Sequence, residues 1–240
     1  MTSAAAAQPQ RSIDGDISAL AVWIVCLGLY AVIITLVFVN PEIIRGELGL
    51  VEQGQNVILF VSLLLMLDVL RRADTRNLRL WMGLVIIGTV YLLGEETSWG
   101  QHYFQWQAGG VFADINDQGE TNFHNSSSWL DQKPRAVLLL GMIVGAIVHP
   151  LVKWARKGRG LFDNPWWLAP TLASLAPVIV SQIAALPKKI EALHVLPYSL
   201  DLYRWSEAEE FFMYIFFITY TLSLRQRLIW RKQRGATGPA

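Results

Sequence analysis

The run ISALAVWIVCLGLYAVIITLVFV, residues 17–39, decides the fold. It holds no charged residue and no proline. A bilayer core about 30 Å thick needs roughly 20 mostly apolar residues in a helix to cross it. Five more apolar runs follow, at about 50–70, 78–97, 136–152, 166–186 and 207–225. The fourth, AVLLLGMIVGAIVHPLV, is short and ends beside Pro150. Backbone polar groups in lipid must be satisfied within the segment, so these runs are read as helices. The expected fold is an all-α polytopic bundle of six transmembrane helices with a longer outer loop at about 98–135.

Composition agrees. The 240 residues are 53% hydrophobic and only 16% charged, against about 25% charged in an average soluble domain. A net charge of +1 offers no concentrated basic face, which excludes a nucleic-acid partner. The lone Cys26 lies in the first run and reads as a small buried apolar residue. Residues 1–16 read as a disordered tail, 17–230 as one transmembrane domain and 231–240 as a basic tail. Run 17–39 is too long for a signal-peptide core, and no small-x-small site follows it.

Basic residues set the expected orientation. RRADTRNLR (71–79), KWARKGRG (153–160) and RQRLIWRKQR (225–234) all fall on one side if there are six crossings. Positive loops stay cytoplasmic, so both termini are expected inside. NPEIIRGELGLVEQ (40–53), on the other side, carries three glutamates against one arginine. The last outer loop fits less well, with Lys188, Lys189 and Arg204.

That topology puts GEETSWGQHYFQW, residues 94–106, at the outer interface. Read as a helix, it places Glu95, Ser98 and His102 on one face. In GETNFHN, Glu120 and His124 are four apart and also share a helical face. Glu207 and Glu210 share a face at the start of the sixth run. Carboxylates with imidazole suit Zn, Fe or Mn. The expected ligands of a divalent metal are therefore Glu95, His102, Glu120, His124, Glu207 and Glu210. Glu96 is the expected general base, and Ser98 is a further catalytic candidate between Glu95 and His102. A metal-bound water would be the nucleophile. Each feature has a plainer reading. Glu207 and Glu210 suit the N-terminal end of a helix dipole, with Ser206 as cap. Glu95 and Glu96 suit ion pairs with Arg204 or Lys133. His124 suits a solvated loop, and Trp99, Tyr103, Phe104 and Trp106 suit an interfacial aromatic belt. His149 and His194 receive no site role.

The pairing of EETSWGQ (95–101) with ETNFHN (120–125) resembles a pattern in bacterial multi-pass membrane proteins that carry no assigned activity. It spans about thirty residues and implies the bacterial inner membrane. Ceramidase-like membrane hydrolases offer only the general idea of a metal hydrolase in a helical bundle. This chain has six apolar runs, not seven, and no HxxxH pair. The expected function is a metal-dependent hydrolase of a lipid or lipid-linked substrate at the outer face. The alternatives are a cation or small-solute transporter, or a non-catalytic subunit that docks on a membrane-protein partner.

Overall fold

A computed structural model of the chain describes residues 16–44, 49–110, 119–122, 128–157, 160–161, 171–194 and 205–236. Among these residues the structure is all-helical, with no strand. Four helices are long and apolar enough to cross a membrane: Ala19–Val39 (α1), Leu50–Arg72 (α2), Arg76–Glu96 (α3) and the continuous stretch Lys133–Ala155. That stretch belongs to α5 (Ser128–Ile143), a π-helical segment (Val144–Val148) and α6 (His149–Ala155). The short helix α4 is Gln101–Phe104. Leu175–Ala184 (α7), Leu186–Ala192 (α8) and Trp205–Ala236 (α9) complete the chain.

Local chemistry sets these limits. Ser18 caps α1 by accepting the Ala21 N–H, and Thr75 caps α3 by accepting the Leu78 N–H. Side-chain acceptors of this kind satisfy orphan donors at helix starts. Along α1 only Cys26, Ile33 and Val37 are buried, a single stripe at helical spacing. Leu20, Ile24, Val32 and Phe38 are exposed, as lipid-facing side chains would be.

Helix α9 has the opposite character. Phe212, Met213, Thr221, Ser223 and Leu224 are wholly buried, and almost every residue from 208 to 221 is buried with them. A helix buried all round belongs at the centre of its bundle. It packs on α2 and α7, joining a core under α2, α3 and α5 to a second core under α1 and α7.

The structure departs from the apolar runs in three places. The fourth run extends in both directions, because Pro150 does not end it. Pro150 follows a π-helical turn, and such wide turns absorb a residue that cannot donate to the i−4 carbonyl. The sixth run, 207–225, continues to Ala236. Arg225 pairs with Asp68 on α2, Arg231 pairs with Asp74, and Leu228 is buried, so the basic tail is helical as far as residue 236. In the fifth run the described helix α7 is only ten residues long, about 15 Å. It is preceded by a 3₁₀ turn at Leu172–Ser174 and followed by a break at Ala185, before Pro187. Residues 166–170 of that run lie outside the described set.

Candidate functional site

The stretch 94–106 is not one helix. Helix α3 ends at Glu96, where the Thr97 hydroxyl donates to the Leu93 carbonyl at 2.8 Å. Ser98 (φ 46°), Trp99 (φ 55°) and Gly100 (φ 103°) then take left-handed backbone conformations in succession. Glycine enters that region at no steric cost. Each non-glycine residue held there costs on the order of 1–3 kcal/mol, and such residues collect at functional sites. The elbow overturns the expected helical register: Glu95 parts from Ser98 and His102, which still meet. Trp99 turns back over α3 and donates its indole N–H to Glu95 Oε1 at 2.9 Å. A Cβ at Gly94 would stand 2.9 Å from that ring, which accounts for glycine there.

With Glu95 held by Trp99, Ser98 becomes the centre of a different group. Its side chain is wholly buried. Ser98 Oγ lies 2.8 Å from His102 Nε2, and its hydroxyl donates to Glu120 Oε2 at 3.2 Å. The Asn122 amide donates to Ser98 Oγ at 2.8 Å and to Glu120 Oε2 at 2.5 Å. His102 Nε2 stands 3.4 Å from Glu120 Oε1. One imidazole nitrogen thus faces both the hydroxyl and the carboxylate. A serine–histidine–carboxylate relay differs, because there the carboxylate holds the other ring nitrogen.

Glu120 does not lie on a helix as expected. It comes from the non-helical segment 119–122, which is fastened to the elbow. Gln101 Nε2 donates to the Gly119 carbonyl at 3.0 Å, Gln101 Oε1 accepts the Thr121 N–H at 2.6 Å, and the Trp106 indole donates to Thr121 Oγ1 at 3.1 Å. His124 lies outside the described residues.

The remaining candidates form a second group at the same end of the bundle. The Tyr214 hydroxyl on α9 donates to Glu96 Oε1 at 2.5 Å. Glu210 pairs with Arg135 of α5. Glu209 faces α7 and accepts from Gln182. The Glu207 backbone carbonyl accepts from Gln55 on α2 at 2.8 Å. Glu207 and Glu210 therefore do not join His102 and Glu120 as one ligand set. Arg135 neutralises Glu210, one of the acids that sequence reasoning left for a cation, while Tyr214 hydrogen-bonds Glu96, the expected base. Among the described residues no three His, Cys, Asp or Glu side chains are grouped as a metal site requires.

Asn122, Tyr214 and Arg135 were missed from the sequence. Arg135 had a visible signal, since it follows Lys133 and Pro134 at the start of the fourth run. Tyr214 had none, because it sits in the aromatic run FFMYIFFITY. Tyr103, read from the sequence as part of an aromatic belt, donates to Gln53 Oε1 on α2 at 3.0 Å. Asn56 Oδ1 and Gln55 Oε1 beside it are buried acceptors with no partner among the described residues.

Comparison with protein-family models, with curated proteins and with solved structures finds no match to this chain.

Proposed function

We infer that the chain is an integral membrane enzyme, a metal-dependent hydrolase of a lipid or lipid-linked substrate at the outer face of the bacterial inner membrane. One observation carries this reading. His102 Nε2 and Glu120 Oε1 converge at 3.4 Å beside the hydroxyl of Ser98, on a strained elbow. Two ligands about 2.0–2.1 Å from one tetrahedral cation stand roughly 3.3–3.4 Å apart. His102 and Glu120 are then two ligands, and His124, two residues past Asn122 in the sequence, is the third. A cation held by these residues would bind water and would lower its pKa. Asn122 holds the Glu120 carboxylate in orientation, as outer partners of a metal ligand do. Ser98 shares hydrogen bonds with both ligands. Glu96, which accepts from Tyr214, keeps the role of general base.

The same reading takes six crossings, with 166–186 and 207–225 as the fifth and sixth. The Glu95 end of the bundle then faces outward and both termini face the cytoplasm. Substrate arrives laterally from the lipid past Trp99, Tyr103 and Phe104, all exposed.

The test is hydrolysis of a panel of lipid esters and lipid phosphates by protein in vesicles. Wild type should cleave at least one class. His102→Ala and Glu120→Gln should each lose about 100-fold or more while remaining folded. Equal turnover in the variants would overturn the assignment.

A second reading has its own observation. Ser98 is wholly buried and the segment 119–122 is bonded to Ser98, Gln101, His102 and Trp106, as suits a staple for a docking loop. Under that reading Glu120→Gln loosens the loop, and no substrate in the panel is cleaved by wild type.

A further inference from the structure

A groove of about 570 Å³ runs between α3, α5 with its π-helical segment, and α9. Its wall is almost wholly apolar. Two of its sides, α3 and the stretch Lys133–Ala155, are long and apolar enough to cross a membrane, so the groove lies at bilayer depth. Leu84 and Val137 on the wall are exposed, which opens it sideways towards lipid. Gly88 and Gly141 line it too, and a Cβ on either would meet nothing within 4 Å. At these two positions the space is left open by the absence of a side chain.

Length and width choose among occupants. Trp81 and Leu92 on the wall are eleven residues apart along α3, or about 16 Å. The volume spread over that length leaves a mean section of about 35 Å², against roughly 80 Å² or more for a helix 10–12 Å across. A helix from a second copy does not fit. An extended hydrocarbon chain does.

The groove also has a polar end. Leu92 stands one turn below Glu96 on α3, Leu138 one turn below Arg135 on α5, and Phe217 one turn below Tyr214 on α9. Residues three or four apart share a helix face. Each of the three lining helices therefore sets a polar group over the same end of the groove. There the Tyr214 hydroxyl donates to Glu96, and Arg135 pairs with Glu210. An apolar slot under a polar cap matches a molecule with a long tail and a polar head.

We propose that this groove holds one long acyl chain of a membrane lipid, with the carboxyl end of the chain under Glu96, Tyr214 and Arg135. The inference deepens the hydrolase reading and rests on it for the role of that lipid as substrate. The bond cleaved is then the acyl ester. Glu96 takes a proton from water, the water oxygen bonds to the carbonyl carbon, the ester C–O bond breaks, and the proton leaves with the alcohol.

The test uses protein in phosphatidylcholine nanodiscs with a trace of palmitoyl phosphatidylglycerol that carries a diazirine in the palmitoyl chain. After illumination, adducts are located by mass spectrometry. The exposed side chains of α1, such as Leu20, Ile24 and Val32, report ordinary boundary lipid. Wild type should be labelled more heavily in the groove than on α1. A diazirine beside the carboxyl should mark the level of Leu92 and Pro134, and one at the methyl end the level of Trp81 and Gly145. Gly88→Leu and Gly141→Leu fill the groove from helical positions where leucine is favoured over glycine. In each, groove labelling should fall to the α1 level. Wild-type groove labelling no heavier than α1 labelling would mean boundary lipid only and would overturn the proposal. The reverse order of the two diazirines would overturn the orientation. Hydrolysis separates this inference from the reading beneath it. The glycine variants should lose cleavage of the palmitoyl ester and keep that of the butyryl ester of the same head group. Heavy groove labelling without cleavage of either ester by wild type would sink the hydrolase reading alone. Undiminished palmitoyl cleavage by both glycine variants would sink the groove alone.

Discussion

Ser98 combines a left-handed backbone with a buried hydroxyl that contacts three polar side chains, and the two features separate by mutation. Ser98→Ala removes the hydroxyl and leaves buried groups of Asn122 and Glu120 short of a partner. It should destabilise the protein by about 1–3 kcal/mol. Ser98→Gly removes the same hydroxyl but relieves the positive φ. It should unfold at a higher temperature than Ser98→Ala, by about 1 kcal/mol in stability. Thermal unfolding in detergent measures both, and the reverse order would mean that the elbow is unstrained. Gly94→Ala puts a methyl against the Trp99 ring and should cost about 1–3 kcal/mol by overpacking. A shift in tryptophan emission should accompany it as the bond to Glu95 breaks. The sequence showed these residues as polar and close to one another. It did not show the elbow, because an acidic, aromatic stretch after a helix carries no strong turn signal except Gly100. The helical spacing rule then grouped Glu95 with His102, and three left-handed residues undid that grouping.

At the scale of elements, the helices are legible because lipid leaves the backbone few choices. Runs 17–39, 50–70 and 78–97 match α1, α2 and α3 to within two residues at each end. The fourth run was harder, since Pro150 reads as a stop unless a wide turn precedes it. The full length of α9 was also hidden. Its last turns are basic and are held by Asp68 and Asp74 from α2 and the following loop, partners far away in sequence. The Arg135–Glu210 pair fastens α5 to α9 where both are largely buried. Arg135→Ala removes that fastening from a buried carboxylate and should cost about 2–4 kcal/mol. The double change to Met at both positions should recover most of the loss, because well-packed apolar residues often replace a buried pair without penalty. A double variant as unstable as the single would show that the charges are needed for more than each other.

For the whole molecule, the arrangement follows from which helix is buried. Helix α9 is the core, and the apolar helices around it present aliphatic faces outward. Hydropathy alone ranks α1 first among the four candidate spans and leaves α9 out of them, since it measures suitability for lipid and not centrality. The proposed topology puts the 73–75 turn inside and the Gly109 region outside. Cys26 is wholly buried, so introduced cysteines can be labelled over little background. In intact spheroplasts a membrane-impermeant thiol reagent should label Gly109→Cys and leave Asp74→Cys unlabelled until the membrane is opened. The opposite pattern would invert the bundle.

The central claim is the metal site at His102 and Glu120. Elemental mass spectrometry of protein purified in detergent without chelator tests it most directly, with wild type beside His102→Ala and Glu120→Ala. Near-stoichiometric Zn, Fe or Mn in wild type, lost in both folded variants, is the predicted result. Wild type without metal, or variants that retain it in full, would contradict the account and leave the cluster as a hydrogen-bonded staple for the 119–122 segment.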